Sequence, residues 1–302
     1  MKKRHLLTVP VLGATFMTEE LYRYVFCRKS SSLFAYLFDS KGHEENYYTV
    51  RDAATEKLRN TEHEEYTLTS ERGEELKGFY YPCGARGKKI AFIIHGYRSN
   101  HCETAGMYYD YYKSRGIDVF CCDHTASGES EGKFIGFDIL ETQDSLAWVK
   151  FLIQEFGPDT QIILHGFSMG AATVMQMSSS CPSNVKFIIE DSGFINAKAS
   201  LKHQVGIMYE PLRLINKRIA GYDLNDSDVT ESLKASRIPM LFVHGREDKL
   251  VPFVNGPAVY KLYQGEKDYL FRRGTRHIET MYTSPKEYAA KIDSFIDKYF
   301  IK

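Results

Sequence analysis

The pattern of apolar and polar positions becomes regular from about Glu64 onwards. Two short runs, residues 66–69 and 76–81, flank Ser-Glu-Arg-Gly at 70–73 and predict a β-hairpin. Continuous apolar runs then follow, and such runs are typical of strands that are buried on both faces of a sheet. The predicted buried strands are 89–95, 117–122, 161–165, 185–190, 239–244 and 268–271.

Segments with helical spacing of apolar residues separate these strands. The predicted helices are 103–114, 137–155, 171–177 and 285–300, and Gly157 with Pro158 ends the second of them. Strands that alternate with helices favour a mostly parallel sheet covered on both faces, which is an α/β fold class.

One interval breaks the alternation of strands and helices. Between Phe194 and Ser236, apolar residues recur at helical spacing without any strand pattern. We interpret this interval as a small helical cap inserted over the sheet, with two ordinary crossover helices as the alternative. The sequence thus divides into an N-terminal helical extension, residues 1–60, and an α/β domain, residues 61–302, with the cap at about 194–236.

Composition and charge exclude several classes of partner. The 39 Lys and Arg balance the 39 Asp and Glu, so no basic bias favours nucleic acid. None of the six cysteines stands in a C-x-x-C pair, which argues against a zinc or redox motif. Neither H-E-x-x-H nor G-x-x-x-x-G-K-[ST] occurs, and we expect no metal or organic cofactor.

The N-terminus leaves the location of the protein open to two interpretations. Lys2, Lys3 and Arg4 precede an uncharged stretch that loosely resembles a signal peptide. Pro10 and Gly13 interrupt this stretch, and it is shorter than the roughly 20 apolar residues that span a bilayer. Together with free buried thiols, this favours a cytoplasmic protein. The alternative is a membrane-associated or exported form that uses the N-terminal segment.

Residues 166–170, Gly-Phe-Ser-Met-Gly, lie between a predicted buried strand and a predicted helix. The pattern G-x-S-x-G in this strand–turn–helix context predicts a nucleophile, here Ser168. Glycine on both sides lets the strand and the helix approach closely. The hydroxyl would sit at a helix N-terminus, where the macrodipole favours developing negative charge. The alternative is a tight turn with a capping serine.

Acyl transfer at such a serine creates an oxyanion, which needs hydrogen-bond donors already in place. We expect one donor to be the backbone N–H of Met169, the residue after the nucleophile. The second is expected from the loop after strand 89–95, with the N–H of Tyr97 as the candidate. The side chain of His95 is expected to be structural.

The serine needs a base, and in this arrangement the chain order is nucleophile, acid, histidine. His277 follows the last predicted strand and is the candidate base, whereas His203 lies in the cap and His244 closes a strand. Asp248 follows strand 239–244 and is the candidate acid that orients the base. Asp191 and Glu247 are the alternatives for the acid.

These motifs together resemble those of a known superfamily. The resemblance rests on residues 95–97 (His-Gly-Tyr), 166–170, 244–248 (His-Gly-Arg-Glu-Asp) with Val251-Pro252, and the Gly-Thr-Arg-His loop at 274–277. They are similar to those of bacterial α/β-hydrolases, namely serine-aminopeptidase-like and esterase-like members related to prolyl oligopeptidase catalytic domains. The resemblance covers about residue 60 to the end. It implies the α/β-hydrolase fold, the triad Ser168, Asp248 and His277, and the two oxyanion donors.

One stretch departs from that superfamily's pattern. After the second buried strand such proteins often carry Arg-Gly-His-Gly-x-Ser, and here Thr125, Ala126 and Ser127 differ whereas Gly128 and Ser130 match. The resemblance implies that this loop helps to form the pocket rim. Inference of a substrate from relatives is therefore weaker than inference of the triad.

The first functional hypothesis is a serine hydrolase that cleaves carboxylic esters of small molecules through an acyl-enzyme. Phe194, Met208, Tyr209 and Tyr222 in the cap would line an apolar acyl or aryl pocket, with cap-to-core packing as the alternative. The second hypothesis is a peptidase or thioesterase with the same triad. For an aminopeptidase, a cap carboxylate, Glu210 or Asp223, would bind the substrate amine. The third is a catalytically silent binding protein.

Overall fold

The computed structural model describes residues 5–29 and 45–300. The described strands are β1 (Glu64–Thr69), β2 (Glu75–Tyr81), β3 (Lys89–Ile94), β4 (Asp118–Asp123), β5 (Gln161–Phe167), β6 (Val185–Asp191), β7 (Met240–Gly245) and β8 (Lys267–Arg272). They form one eight-stranded sheet in the order β1-β2-β4-β3-β5-β6-β7-β8. The predicted hairpin is β1–β2, and each predicted buried run lies in one of the strands β3–β8.

The sheet is mostly parallel, as the alternation of strands and helices predicts. Only the pairs β1–β2 and β2–β4 are antiparallel, and the pairs from β4–β3 to β7–β8 are parallel. Because β3 is flanked by β4 on one side and β5 on the other, the chain reverses its direction of travel across the sheet there. A crevice at such a switch point, at the carboxyl ends of the strands, is the usual ligand position in open α/β sheets.

Helices cover both faces of this sheet. Within the described residues they are α1 (His5–Phe26), α2 (Glu45–Arg59), α3 (His101–Lys113), α4 (Ile139–Phe156), α5 (Met169–Met177), α6 (Ala197–Val205), α7 (Tyr209–Ile219), α8 (Thr230–Ala235), α9 (Asn255–Leu262), α10 (Thr280–Thr283) and α11 (Pro285–Tyr299). The short helices α9 and α10 fall in loops for which the sequence pattern predicts no element.

Side chains of alternate strand residues belong to two apolar clusters on opposite faces of the sheet. Phe92 and Phe120 belong to the cluster that α4, α5 and the segment between β6 and β7 cover. Ile93 and Val119 belong to the other cluster, which α3 and α11 cover. The neighbouring thiols at 121 and 122 enter different clusters, because adjacent strand residues point to opposite faces.

The cap interval contains helices and no strand, as predicted. The helices α6, α7 and α8 connect β6 to β7, with short 3₁₀ turns at Gly206–Met208 and Leu224–Asp226. The bounds of the cap, of the N-terminal extension (1–60) and of the α/β domain (61–302) stay predictions.

The N-terminal helices pack against the rest of the chain. Tyr22 near the end of α1 is buried and its hydroxyl donates to Asn216 of α7 at 3.3 Å. Lys57 of α2 contacts Asp110 of α3 at 2.6 Å. No described helix is both long enough and apolar enough to cross a bilayer, although α1 has 22 residues.

Candidate active site

The sequence-predicted site residues meet at the carboxyl edge of the parallel strands. Tyr97 follows β3, Ser168 follows β5, Asp248 follows β7 and His277 follows β8. Because parallel strands end at the same edge of a sheet, residues far apart along the chain come together there.

Ser168 occupies a strained turn between β5 and α5. Its φ of 55° and ψ of −114° are rarely adopted by residues with a side chain. The turn closes only because its flanks are glycine. A Cβ on Gly166 would lie 2.2 Å from the carbonyl oxygen of Gly170, and one on Gly170 would lie 2.2 Å from that of Ile94. This packing presents the Ser168 hydroxyl above the sheet, where it is partly exposed.

A line of hydrogen bonds joins the three candidate triad side chains. His277 Nδ1 lies 2.6 Å from Asp248 Oδ2, and His277 Nε2 lies 2.8 Å from Ser168 Oγ. An ionised carboxylate only accepts hydrogen bonds, so Nδ1 carries the proton and donates to Asp248. Nε2 is then left with a lone pair that accepts from the Ser168 hydroxyl.

The carboxylate of Asp248 is fixed by further donors from its own loop. Its Oδ1 accepts from the backbone N–H groups of Leu250 and Val251, each at 2.9 Å. His244 Nε2 lies 3.3 Å from its Oδ2 and 3.0 Å from the Val251 carbonyl oxygen. The acid is therefore held in place independently of His277.

The two alternative acids lie elsewhere. Asp191 accepts from the hydroxyls of Ser192 at 2.8 Å and Tyr288 at 3.0 Å. Glu247 is exposed and accepts from the N–H of Thr275 at 3.1 Å. Neither carboxylate shows the contact with the base that Asp248 makes.

Electrostatics favour a charged Asp248 and a basic His277. Burial opposes ionisation of Asp248, but the charge of His277 and the hydrogen bonds from His244 and His277 outweigh it and hold the pKa of Asp248 well below its usual range. Burial also disfavours protonated His277, yet the negative charge of Asp248 and their hydrogen bond raise the pKa of His277 above 6.5. Asp191 and Glu279 add to that rise.

The raised pKa of His277 predicts the acid limb of the pH profile. Only the neutral imidazole can take the serine proton, and kcat/KM reports titration of the free enzyme. Because the protonated form of His277 is stabilised, the neutral imidazole becomes the minor form once the pH falls below its raised pKa, which lies above 6.5. We therefore expect half-maximal kcat/KM for an ester on the acid side to lie above pH 6.5. A limb centred at or below pH 6.5 would contradict these electrostatics.

Tyr97 and Met169, which carry the two candidate oxyanion donors, line the same cavity as Ser168. Met169 is the first residue of α5, and the first N–H groups of a helix have no intrahelical acceptor. Among the residues that the structure describes, neither the Tyr97 nor the Met169 N–H donates to a protein acceptor. His95 is buried, with Nδ1 2.8 Å from the Gly96 carbonyl oxygen and Nε2 accepting from the His124 N–H at 3.1 Å. This backbone role is the structural one expected for His95.

A cavity of about 770 Å³ opens over Ser168 and His277. Its size is in the range of pockets that hold small-molecule ligands. Apolar side chains form one part of the wall, and they come from α1, the cap and the sheet edge. These residues are Leu21, Val25, Phe137, Phe194, Leu201, Val205, Met208 and Val251. A more polar part of the wall is formed by Tyr47 and Arg51 of α2, Glu103 of α3 and Lys249.

Two of the four predicted pocket residues line this cavity and two do not. Phe194 and Met208 belong to its wall. Tyr209 and Tyr222 are buried in the core beneath the cap, and the Tyr222 hydroxyl donates to the carbonyl of Ile135. For these two tyrosines the structure shows the alternative, packing of the cap against the core: Tyr209 begins α7 and Tyr222 lies in the loop after it, and both side chains are buried away from the cavity.

The cap carboxylates considered for binding an amine also lie away from the cavity wall. Asp223 pairs with Arg213 at 2.7 Å and with Lys217 at 3.0 Å, and Glu210 pairs with Arg213 at 2.8 Å. The loop at 124–130, expected at the pocket rim, contributes no residue to the wall either. The carboxylate that does line the cavity is Glu103, at the start of α3.

Sequence reasoning missed the contribution of the N-terminal helices to the cavity. Leu21, Tyr24 and Val25 of α1 recur at the spacing of one helical face, as do Tyr47 and Arg51 of α2. That spacing could have identified the two faces. It could not have shown that they close over the carboxyl edge of the sheet.

The chain is similar in sequence to known proteins. Residues 85–222 match the model of a family described as serine aminopeptidase, S33. The protein YqkD of Bacillus subtilis (strain 168) is 23% identical to this chain over 241 residues, which is 77% of this chain and 78% of YqkD.

Solved structures with a similar fold include an archaeal esterase and a bacterial protein named Est1E. The esterase Pf2001 of Pyrococcus furiosus has a TM-score of 0.65 and 21% identity, and the match covers 80% of this chain and 93% of that one. Est1E of Butyrivibrio proteoclasticus, solved with ferulic acid bound, has a TM-score of 0.65 and 20% identity. The match covers 78% of this chain and 100% of Est1E. At this identity the likeness establishes a shared fold.

Proposed function

We propose that this chain, which has the fold of the α/β-hydrolases, is a serine hydrolase that cleaves carboxylic esters through an acyl-enzyme intermediate. The observation that carries the proposal is the hydrogen-bonded line from Ser168 Oγ through His277 to Asp248, with distances of 2.8 Å and 2.6 Å. A serine hydroxyl is a weak nucleophile, and a base in hydrogen-bond contact is what activates it.

Acylation begins when Ser168 Oγ attacks the ester carbonyl carbon and its proton passes to His277 Nε2. The charge that develops on the former carbonyl oxygen is stabilised by the N–H groups of Tyr97 and Met169. Asp248 stabilises the imidazolium and keeps its ring oriented. His277 then returns the proton to the leaving alcohol as the C–O bond breaks, which leaves the acyl group on Ser168.

Deacylation repeats these steps with water in place of the serine hydroxyl. His277 takes a proton from water, the resulting hydroxide attacks the acyl carbon, and the proton returns to Ser168 Oγ as the acid leaves. The cycle uses side chains, backbone N–H groups and water, so no metal or organic cofactor is required. Free cysteines at all six positions also suit the cytoplasmic location that we propose.

The cavity wall favours esters with an apolar acyl or aryl group. Phe137, Phe194, Leu201 and Met208 provide an apolar surface next to Ser168. Burial of such a group is favourable at about 25 cal/mol per Å² of apolar surface. The ferulic acid bound to Est1E is an aryl acid, and it supports this class of substrate.

A peptidase with the same triad is the second candidate function. It is favoured by the Glu103 carboxylate in the cavity wall, which can accept hydrogen bonds from a substrate amine, and by the description of the matched family. Esters, thioesters and amides share the tetrahedral intermediate, so the triad alone does not separate them.

A substrate panel tests the two proposals against each other. We expect kcat/KM for p-nitrophenyl esters to exceed that for aminoacyl-p-nitroanilides and acyl-CoA thioesters by at least about 100-fold, with a preference for apolar acyl groups. Faster cleavage of the nitroanilides, together with a selective loss of that activity in Glu103→Gln, would overturn the esterase proposal in favour of the peptidase. Absence of turnover for every substrate would favour a silent binding protein.

A further inference from the structure

The loop that carries the candidate oxyanion donor is attached to the C-terminal end of α1. The Tyr97 hydroxyl lies 3.0 Å from the Tyr24 carbonyl oxygen and 2.9 Å from that of Val25. The Arg98 guanidinium donates to the carbonyls of Tyr24 and Cys27, the latter at 2.8 Å. Its Nε also donates to the Tyr97 hydroxyl at 2.9 Å, so the two side chains and the helix end form one hydrogen-bonded unit.

This attachment suits both partners chemically. The last carbonyls of a helix have no intrahelical donors and carry the negative end of the macrodipole. A guanidinium presents several donors in a fixed fork, so it can satisfy more than one of these carbonyls at once. The Tyr97 ring stands 5.4 Å from that of Phe137 in the cavity wall, which keeps the hydroxyl directed at α1.

The backbone of the loop needs an external constraint. Arg98 has a φ of 56°, a left-handed conformation that residues with a side chain adopt rarely and keep only when their surroundings hold them. The far side of the loop is fixed where Asn100 caps α3 through the Glu103 N–H at 3.1 Å. The turn itself is closed by the Ser99 N–H, which donates to the Gly96 carbonyl at 3.3 Å, and the side-chain bonds of Tyr97 and Arg98 to α1 add a further constraint.

The end of α1 is itself anchored to the body of the protein. The N–H of Ile135 donates to the Phe26 carbonyl at 2.8 Å, and the N–H of Arg28 donates to the Lys133 carbonyl at 2.9 Å. The Phe26 ring packs at 5.5 Å against Phe137. The helix end is therefore a fixed support rather than a freely moving one.

We propose that Tyr97 and Arg98 are positioning residues, whose side-chain bonds to the C-terminal carbonyls of α1 hold the Tyr97 N–H in place to stabilise the oxyanion. The inference rests on the proposed serine-hydrolase function. It assigns α1 a role in the reaction besides its place in the cavity wall. It also distinguishes this loop from one that merely anchors α1, because anchoring alone would leave the chemistry of the folded protein unchanged.

The test compares Arg98→Met with Arg98→Lys and Tyr97→Phe in the full chain. Loss of a single oxyanion donor typically costs 10²–10³ in kcat, and a displaced donor costs less. We expect Arg98→Met to lower kcat on a p-nitrophenyl ester about 10- to 100-fold, with KM changed by less than about threefold. Arg98→Lys and Tyr97→Phe keep part of the attachment, and intermediate losses are expected for them.

A transition-state analogue separates positioning from loss of folded protein. A trifluoromethyl ketone forms a tetrahedral oxyanion with the serine, so its inhibition constant in Arg98→Met should rise by the factor by which kcat/KM falls. The fraction of molecules that a fluorophosphonate labels at saturation should stay at the wild-type level. Arg86→Met is the matched control, because Arg86 also pairs and stacks on rings but contacts Glu64 outside the cavity; its kcat and inhibition constant should match the wild type.

Each other outcome has a definite meaning. If Arg98→Met keeps wild-type kcat and affinity for the ketone, the positioning role is wrong while the serine-hydrolase function stands. If activity falls only with the labelled fraction, the contacts are structural alone and the inference is again wrong. If the wild type itself neither turns over esters nor binds the ketone, the proposed function fails, and the inference fails with it.

Discussion

Ser168→Ala is expected to lower kcat for ester hydrolysis by about 10⁶-fold, the scale of losing the nucleophile in a serine hydrolase. The methyl group leaves His277 Nε2 without the hydroxyl that lies 2.8 Å from it, and no acyl-enzyme can form. The fold should persist, because the strained turn is closed by backbone contacts and by glycines rather than by the hydroxyl. Steady-state hydrolysis of a p-nitrophenyl ester measures the loss.

Ser178→Ala provides the matched control for this substitution. Ser168 precedes α5 and Ser178 follows it, but Ser178 is buried and its hydroxyl donates to the Met175 carbonyl at 2.7 Å, away from the cavity. Its kcat should stay within about twofold of the wild type. A Ser168→Ala protein that kept more than about 1% of wild-type kcat would show that another group is the nucleophile.

Asp248→Asn is expected to lower kcat by about 10⁴-fold, the second largest effect. An amide can donate a hydrogen bond to His277 Nδ1, which favours the tautomer with the proton on Nε2. That tautomer cannot accept the serine proton, and the imidazolium also loses its neighbouring negative charge. The pH profile of the residual activity should shift its acid limb to lower pH, because Asp248 is the leading cause of the raised pKa of His277.

Asp191→Asn tests the alternative acid under the same conditions. Burial raises the pKa of Asp191 to about 6, so its carboxyl already resembles the neutral amide as pH falls towards that value. We expect kcat to fall less than about tenfold in this variant. A larger loss in Asp191→Asn than in Asp248→Asn would transfer the role of the orienting acid to Asp191.

The positions of the strands along the chain and the turn at Ser168 could be predicted because both have local causes. Continuous apolar runs identify strands buried on two faces, and β3, β5 and β7 begin and end within a few residues of the prediction. Glycine at 166 and 170 is required by contacts shorter than any Cβ could make. Apolar runs and flanking glycines are properties of residues that are neighbours in the sequence, so the sequence alone is enough to identify them.

The cavity wall could not be predicted in the same way. Tyr209 begins α7 and Tyr222 lies in the loop after it, and which surface buries each of them depends on how the cap lies on the sheet. The contacts of α1 with Tyr97 and Arg98 join residues more than 70 positions apart, |i−j| = 73 for Tyr97 with Tyr24. Nothing local to either segment specifies that distant partner.

The acid of the triad could be predicted in part from the sequence. Asp191 ends β6, and Glu247 and Asp248 follow β7, so all three lie at the same edge of the sheet and position along the chain leaves them as alternatives. The tertiary structure distinguishes them, because only Asp248 makes the 2.6 Å contact with His277 Nδ1 among the three. Chain order is thus enough to find the loop, and side-chain geometry is needed to find the group.

The role of Ser168 as a nucleophile activated by His277 is tested by treating the intact wild-type chain with a fluorophosphonate and locating the adduct by peptide mass spectrometry. We expect a single adduct on Ser168 that forms fastest above the pKa of His277. No adduct, or an adduct on a different residue, would contradict it.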